Sequence, residues 1–208
     1  MNILAMTTLM LMAGAAAHGE SDRVAGDRSV TVCVDGMVSR LVGAVMVART
    51  VTSRMFADIG VTIDWRRGFS GCPAQGIRID LALDTPDSLI PGALAYALPY
   101  EGTHIVVFYE RIARCRRGRA QVPIVLGYVL AHEITHILQG IDRHSDSGVM
   151  KASWGVGDYD DMSRQQLKFE PHDITLIDTG LEARAGHDAL AGAPKTGATD
   201  RYPAVASR

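Results

Sequence analysis

Short segments in which apolar and polar residues alternate surround one longer segment that is apolar on nearly every side. Alternation is typical of half-buried strands, and β-branched residues favour the same structure. The predicted strands are Ser29–Val34, Val61–Trp65, Ile77–Leu83, Ala93–Leu98 and His104–Tyr109. Apolar residues at helical spacing predict a helix over Leu41–Ile59, which Gly60 would end.

The longer apolar segment, VPIVLGYVLA, predicts a second helix from Pro123 to Gln139. Because it has no polar face, we expect this helix in the centre of the domain. This order of strands and helices predicts an α/β (α+β) chain, and 208 residues suffice for one domain with a hydrophobic core. Farther along the chain, Leu167–Leu181 predicts a loop and a short helix that starts near Pro171.

The second helix ends in the sequence HEITH, which runs from His132 to His136. Positions i and i+4 lie on one face of a helix, so the two imidazoles can reach a single zinc ion. Glu133 lies about 100° farther round the helix, beside any water that the metal would hold. A carboxylate in that place can act as a general base, so the motif predicts a zinc-dependent hydrolase.

A catalytic zinc ion needs a third protein ligand and an open position. Gly140 predicts a left-handed end to the helix, after which the chain can turn back toward the metal. Asp142 and His144 follow this turn, and both are candidates for the third ligand. A further alternative comes from Glu170 and Asp173, because a downstream glutamate is the third ligand in another zinc-peptidase layout.

The stretch from His132 to Met150 resembles the metzincin clan of zinc peptidases. The clan pattern is H-E-x-x-H-x-x-G-x-x-H followed by a methionine-containing turn; here the glycine and the third histidine fall one and two residues late. The resemblance is closer to uncharacterised secreted bacterial proteins with the signature H-E-x-G-H-x-L-L-G-x-x-x-H-S-x-x-G-I-M-x-x-x-W. The counterparts here are His132, Glu133, His136, Leu138, Gly140, His144, Ser145, Gly148, Met150 and Trp154.

This resemblance implies a metzincin-like zincin domain, with a twisted, mostly parallel sheet over the active-site helix and a small C-terminal subdomain. It implies one Zn²⁺ ion bound by His132, His136 and His144, with Glu133 as the general base. Asp142 stays an alternative ligand, because some small secreted members of the clan use aspartate six residues after the second histidine.

The predicted function is that of a secreted zinc-dependent peptidase acting on a peptide or protein substrate. In the clan, an antiparallel edge strand pairs with extended substrate, and Ala93–Tyr100 is the candidate here. Two alternatives stay open: a secreted module that binds zinc without turnover, and a zinc hydrolase that acts on a non-peptide amide. Glu133 argues against the first, because a structural zinc site needs no base.

Composition and charge indicate which classes of binding partner and which location to expect. The formal net charge is −2, and the basic cluster near residue 115 lacks interleaved aromatic residues, so we expect no nucleic-acid partner. Residues 1–17, MNILAMTTLMLMAGAAA, are typical of a secretory signal peptide, which predicts a secreted or periplasmic protein without stable membrane association after signal removal. The peptidase domain would then span residues 18–182 and a disordered tail residues 183–208.

Export would permit disulfide bonds, and the chain has three cysteines: Cys33, Cys72 and Cys115. An odd number leaves at least one without a partner in the same chain. We predict a bond between Cys33 and Cys72, because both fall in the first half of the chain near predicted strands.

Overall fold

The computed structural model describes residues 28–36, 39–85, 88–114 and 121–191. The predicted signal peptide at residues 1–17, Cys115 and the part of the predicted tail beyond residue 191 lie outside these ranges. A short 3₁₀ helix, Ser39–Leu41, precedes the first α-helix. The elements in chain order are β1 (Ser29–Asp35), α1 (Val42–Ala57), β2 (Thr62–Arg67), β3 (Ile77–Ala82), β4 (Ala95–Leu98), β5 (His104–Phe108), α2 (Tyr109–Arg114), α3 (Val122–Gln139), α4 (Val156–Ser163) and α5 (Pro171–Ala191).

The five strands form one sheet in the order β2-β1-β3-β5-β4. All neighbouring pairs are parallel except β4 and β5, whose antiparallel register pairs Ala95 with Val107 and Leu98 with His104. The alternation predicted from the sequence is visible in β3, where every second residue is buried. The mostly parallel sheet and the antiparallel edge strand confirm the predicted fold class.

Helix α3 is the centre of the domain, as its apolar sequence predicts. Every residue from Val125 to Leu138 is buried, and the helix contacts α1, β4, β5, α2, α4 and α5. It crosses α1 closely at Gly127, where a Cβ atom would lie 2.7 Å from Cβ of Val51. The hydroxyl of Thr52 donates to the carbonyl oxygen of Gly127 at 2.9 Å and joins the two helices.

Among the described residues, α3 is also the one helix whose length and composition would suit a membrane span. Most of the helix is buried inside the fold, which is the ordinary state of a domain's core helix. The apolar run is therefore explained by packing.

The disulfide bond between Cys33 and Cys72 is present, as predicted. Cys33 is fully buried in β1, and Cys72 lies in the loop between β2 and β3. The bond therefore ties that loop to a central strand of the sheet.

Three helices differ from the sequence-based expectation, and the first is α2, which covers Tyr109–Arg114 where no helix was predicted. The tail was expected to begin at residue 183, whereas α5 continues to Ala191 and Arg184 donates to the carbonyl oxygens of Gly102 and Gln75. The segment EARAGHDALA contains four alanines, together with a glutamate, an arginine and a leucine, and all of these residue types favour helices. Helix α4 was not predicted, because its sequence VGDYDDMS contains mostly weak helix formers.

Candidate metal centre

The last two turns of α3 carry the two histidines of the HEITH motif. The helix ends at Gly140, which has a φ of 66° and whose N–H donates to the carbonyl oxygen of His136 at 2.9 Å. Most side chains are strained at such a φ, and glycine is not. The predicted turn is thus present, and it sends the chain back past the end of the helix.

Hydrogen bonds to backbone carbonyls orient both imidazoles. Nδ1 of His132 donates to the carbonyl oxygen of Val149 at 2.8 Å, and Nδ1 of His136 donates to that of Ile141 at 3.2 Å. A carbonyl oxygen can only accept, so Nδ1 carries the proton in each ring and Nε2 presents a lone pair. The two Nε2 atoms lie 3.1 Å apart.

Burial keeps these two rings neutral. It lowers the pKa of His132 to about 3, with the neighbouring His136 adding to the effect. Burial also lowers the pKa of His136. Neutral imidazole is the form that binds a metal ion.

His144 completes a group of three histidines whose ligand atoms all lie within 4.8 Å of one another. Its ring centroid lies 5.3 Å from that of His132 and 4.9 Å from that of His136. Asp142 lines the same cleft but is not a member of this group. Glu170 lies elsewhere and accepts a hydrogen bond from the hydroxyl of Ser147.

The arrangement fits a zinc ion. Two Nε2 lone pairs that face each other at 3.1 Å repel unless a cation lies between them. Tetrahedral coordination with Zn–N bonds of about 2.0–2.1 Å places two ligand nitrogens about 3.3 Å apart. Three imidazole nitrogens are also a ligand set that zinc accepts, with a fourth position left for water or substrate.

A tight turn lies beneath the histidines and contains Met150, which is fully buried. The N–H of Val149 donates to the carbonyl oxygen of Lys168 at 2.9 Å, and the N–H of Ser145 donates to that of Met150 at 2.8 Å. Gly148 has a φ of 74°, and a Cβ there would lie 2.4 Å from the carbonyl oxygen of Lys168. This turn supplies the carbonyl that orients His132.

The three histidines face a cleft of about 610 Å³. Residues of β4, including Tyr96 and Ala97, line this cleft, and so do Trp154 and Tyr159. The ring of Trp154 lies edge-on to His132, with centroids 5.5 Å apart. No specificity pocket was predicted, because this cleft combines segments that are distant in the sequence.

Glu133 lies in this cleft and is 7% exposed. Burial raises the pKa of Glu133 to about 8, and the negative charge of Asp142 adds to the effect. Lys151, to which no sequence motif pointed, also lines the cleft and forms an ion pair with Asp158 at 2.7 Å. A buried carboxyl beside three imidazoles is a group that can accept and release a proton near neutral pH.

Solved structures share this architecture. The chain is similar to archaemetzincin from Methanopyrus kandleri, with 15% identity, a TM-score of 0.51 and coverage of 76% of this chain and 99% of that one. The domain therefore has the same overall fold as that archaemetzincin. A zinc-dependent peptidase from Methanocorpusculum labreanum is also similar, with 14% identity, a TM-score of 0.48 and coverage of 71% of this chain and 99% of that one. No family model and no curated protein matches the chain in sequence.

Proposed function

We propose that this protein is a secreted or periplasmic zinc-dependent peptidase. The observation that carries the proposal is the convergence of three imidazoles beside a buried glutamate at the floor of an open cleft. A structural zinc site would fill all four positions with protein ligands and would need no adjacent carboxylate. The archaemetzincin-type fold supports the same reaction class.

In this proposal His132, His136 and His144 hold one zinc ion. When bound, zinc supplies a Lewis acid for the substrate carbonyl and lowers the pKa of a water molecule toward about 7. The carboxylate of Glu133 takes the proton of the attacking water and delivers it to the nitrogen of the leaving amine. The carbonyls of Val149 and Ile141 keep both buried imidazoles in the tautomer that this role requires.

The substrate proposed is an extended segment of a peptide or protein. Strand β4 is at the edge of the sheet, and Ala95, Tyr96 and Ala97 line the cleft. An edge strand presents backbone N–H and C=O groups that can pair with an added strand. Such pairing would hold the scissile bond along the cleft and explains why the edge strand borders the histidine group.

Export is supported by two features of the chain. Residues 1–17 have the composition of a signal peptide. The bond between Cys33 and Cys72 is of a kind that forms and persists in oxidising compartments. Fractionation of the native host, with detection of the mature N-terminus by mass spectrometry, tests this part of the proposal.

The catalytic part is tested with purified protein, a peptide library read by mass spectrometry, and zinc analysis. We expect one zinc per chain and cleavage of peptides by the wild type. Glu133→Gln should keep zinc and lose 10²-fold or more of the activity, because the proton acceptor is gone. His144→Ala should be purified without zinc and bind added zinc only weakly, through His132 and His136, whereas Asp142→Ala, the matched variant of the rival ligand, should keep the ion.

Other results would point to a different function or to a different set of zinc ligands. A wild type that binds zinc but cleaves no peptide would be either a binding module or a hydrolase that acts on a non-peptide amide. Assays with non-peptide amides distinguish the two, because only the hydrolase would cleave them. Zinc loss with Asp142→Ala and retention with His144→Ala would reverse the ligand assignment. Absence of zinc from the wild type, even after addition of the ion, would end the proposal.

A further inference from the structure

The carboxylate of Asp173 is completely buried, yet it belongs to no part of the three-histidine group. One of its oxygens, Oδ1, accepts from the hydroxyl of Ser145 at 2.6 Å and from Nη1 of Arg143 at 2.9 Å. Arg143 and Ser145 are the two residues that flank His144. A single buried oxygen is therefore bonded to the chain on both sides of the third histidine.

Asp173 also joins two helices at this point. Its second oxygen, Oδ2, accepts from the N–H of Glu170 at 3.3 Å, as in a capping box at the start of α5. Its backbone carbonyl accepts from the side-chain amide of Gln139, the last residue of α3, at 3.3 Å. The first turn of α5 is thus tied to the end of the helix that carries His132 and His136.

The segment that carries His144 needs such an anchor. His144 itself is exposed, as are its neighbours at 141, 142, 146 and 147, so apolar burial does little to hold the segment in place. Its other bonds are few: the N–H of Ser145 donates to Met150, the carbonyl of Ile141 accepts from His136, and the hydroxyl of Ser147 donates to Glu170. The pair with Asp173 adds two charge-assisted contacts at the point where the third imidazole leaves the backbone.

A helix cap alone does not account for this geometry. Capping requires only the bond from Oδ2 to Glu170, and a partly exposed residue could provide it. A fully buried carboxylate is costly unless it is paired, and here the pairing partners come from the segment around His144.

We propose that Asp173 is a positioning residue, which holds His144 at the distance from His132 and His136 that metal binding requires. The proposal rests on the proposed function, because it assumes that His144 is a zinc ligand. Asp173 touches neither metal nor substrate in this role; it acts through Ser145 and Arg143. Its removal should therefore weaken zinc binding while the core of the domain persists.

The test measures zinc affinity by chelator competition, and the visible spectrum of the Co²⁺-substituted protein as a signature of coordination. Asp173→Asn should lower zinc affinity by about 10–100-fold, the usual effect of changing a residue that orients a metal ligand. Ser145→Ala should lower it by a smaller factor, because Arg143 still reaches the carboxylate. Asp178→Asn is the matched control, since Asp178 lies on the same helix, is partly exposed and pairs with Arg28 instead.

A double variant separates positioning from a general structural role. In a His144→Ala background, Asp173→Asn should cause no further loss of zinc affinity, because the ligand through which it acts is gone. If Asp173→Asn lowers zinc affinity by the same factor in the wild type and in His144→Ala, the proposal is overturned. It is also overturned if both Asp173→Asn and Ser145→Ala keep the zinc affinity and the Co²⁺ spectrum of the wild type. If Asp173→Asn does not fold, Ser145→Ala with and without His144→Ala decides the question.

The outcomes for the two proposals differ. A wild type that binds no zinc would end the proposed function, and the positioning role with it. A wild type that binds zinc through three histidines, with affinity indifferent to Asp173 and Ser145, would end only the positioning role.

Discussion

Helices α3 and α5 approach each other so closely at Gly180 that no other residue fits there. A Cβ atom at this position would lie 1.6 Å from the carbonyl oxygen of Leu138 and 2.7 Å from its carbonyl carbon. The obstacle is backbone at the buried end of α3, so it cannot move aside as the tip of a side chain could. We therefore expect Gly180→Ala to push α5 away from α3.

The expected change in the free energy of unfolding of Gly180→Ala is the difference between two opposing contributions. Ordinary contact begins at 3.4 Å, so the two helices must separate locally by nearly 2 Å. Overpacking of this kind costs about 1–3 kcal/mol, and a backbone obstacle places this site at the upper end. Alanine regains about 1 kcal/mol of helix propensity over glycine. The net loss is about 2 kcal/mol, or a fall in Tm of about 4–8 °C for a chain of this size.

Thermal and urea unfolding of Gly180→Ala and Gly186→Ala provide the assay. Gly186 is on the same helix, and a Cβ there meets nothing within 4 Å, so its substitution should raise the free energy of unfolding by up to about 1 kcal/mol. The zinc affinity of Gly180→Ala should also fall, because α5 carries Asp173. Equal stability of the two variants would refute the close helix packing on which this reasoning depends.

Two further predictions concern stability. Replacing Cys33 and Cys72 by serine should cost about 4 kcal/mol in urea unfolding, since the bond closes a loop across a separation of 39 residues; a reduced protein as stable as the oxidised one would contradict it. In metal-free protein, the lowered pKa of His132 means that stability is lost as pH falls below about 6.5, because the unfolded chain binds more protons. The raised pKa of Glu133 acts in the opposite direction, with stability lost as pH rises from about 4.5 through about 8. Glu133→Gln should therefore stabilise metal-free protein more at pH 9 than at pH 4, and a pH-independent difference would contradict the burial of that carboxyl.

The elements that the sequence predicts well are those whose pattern is local. In strand β3 every second residue is buried, and α3 combines a continuous apolar run with Pro123 near its start and Gly140 at its end. Helix α4 lacks these signals. Its start depends on the carboxylate of Asp158, which accepts from the N–H of Gly155 at 2.7 Å, while the helix itself is short and weakly helical in propensity.

The candidate metal site also has one part that follows from a local sequence pattern and one part that does not. His132 and His136 are brought together by helical spacing alone, so the motif predicts their proximity. In the structure His144, and not Asp142, lies with these two histidines, and its neighbour Ser145 is bonded to Asp173 and to the carbonyl of Met150. No spacing rule contains these contacts, and the sequence therefore left both candidates open.

The late positions of Gly140 and His144 relative to the clan pattern are explained by the way α3 ends. One additional residue before the glycine extends a helix by about 1.5 Å and turns its exit by about 100°. The N–H of Gly140 still closes a helical turn on His136, so the additional residue is part of the helix. The second additional residue lies between Gly140 and His144 and lengthens the returning segment. Counting six residues from His136, as the clan pattern does, leads to Asp142. In the structure, however, it is His144 that lies beside the other two imidazoles.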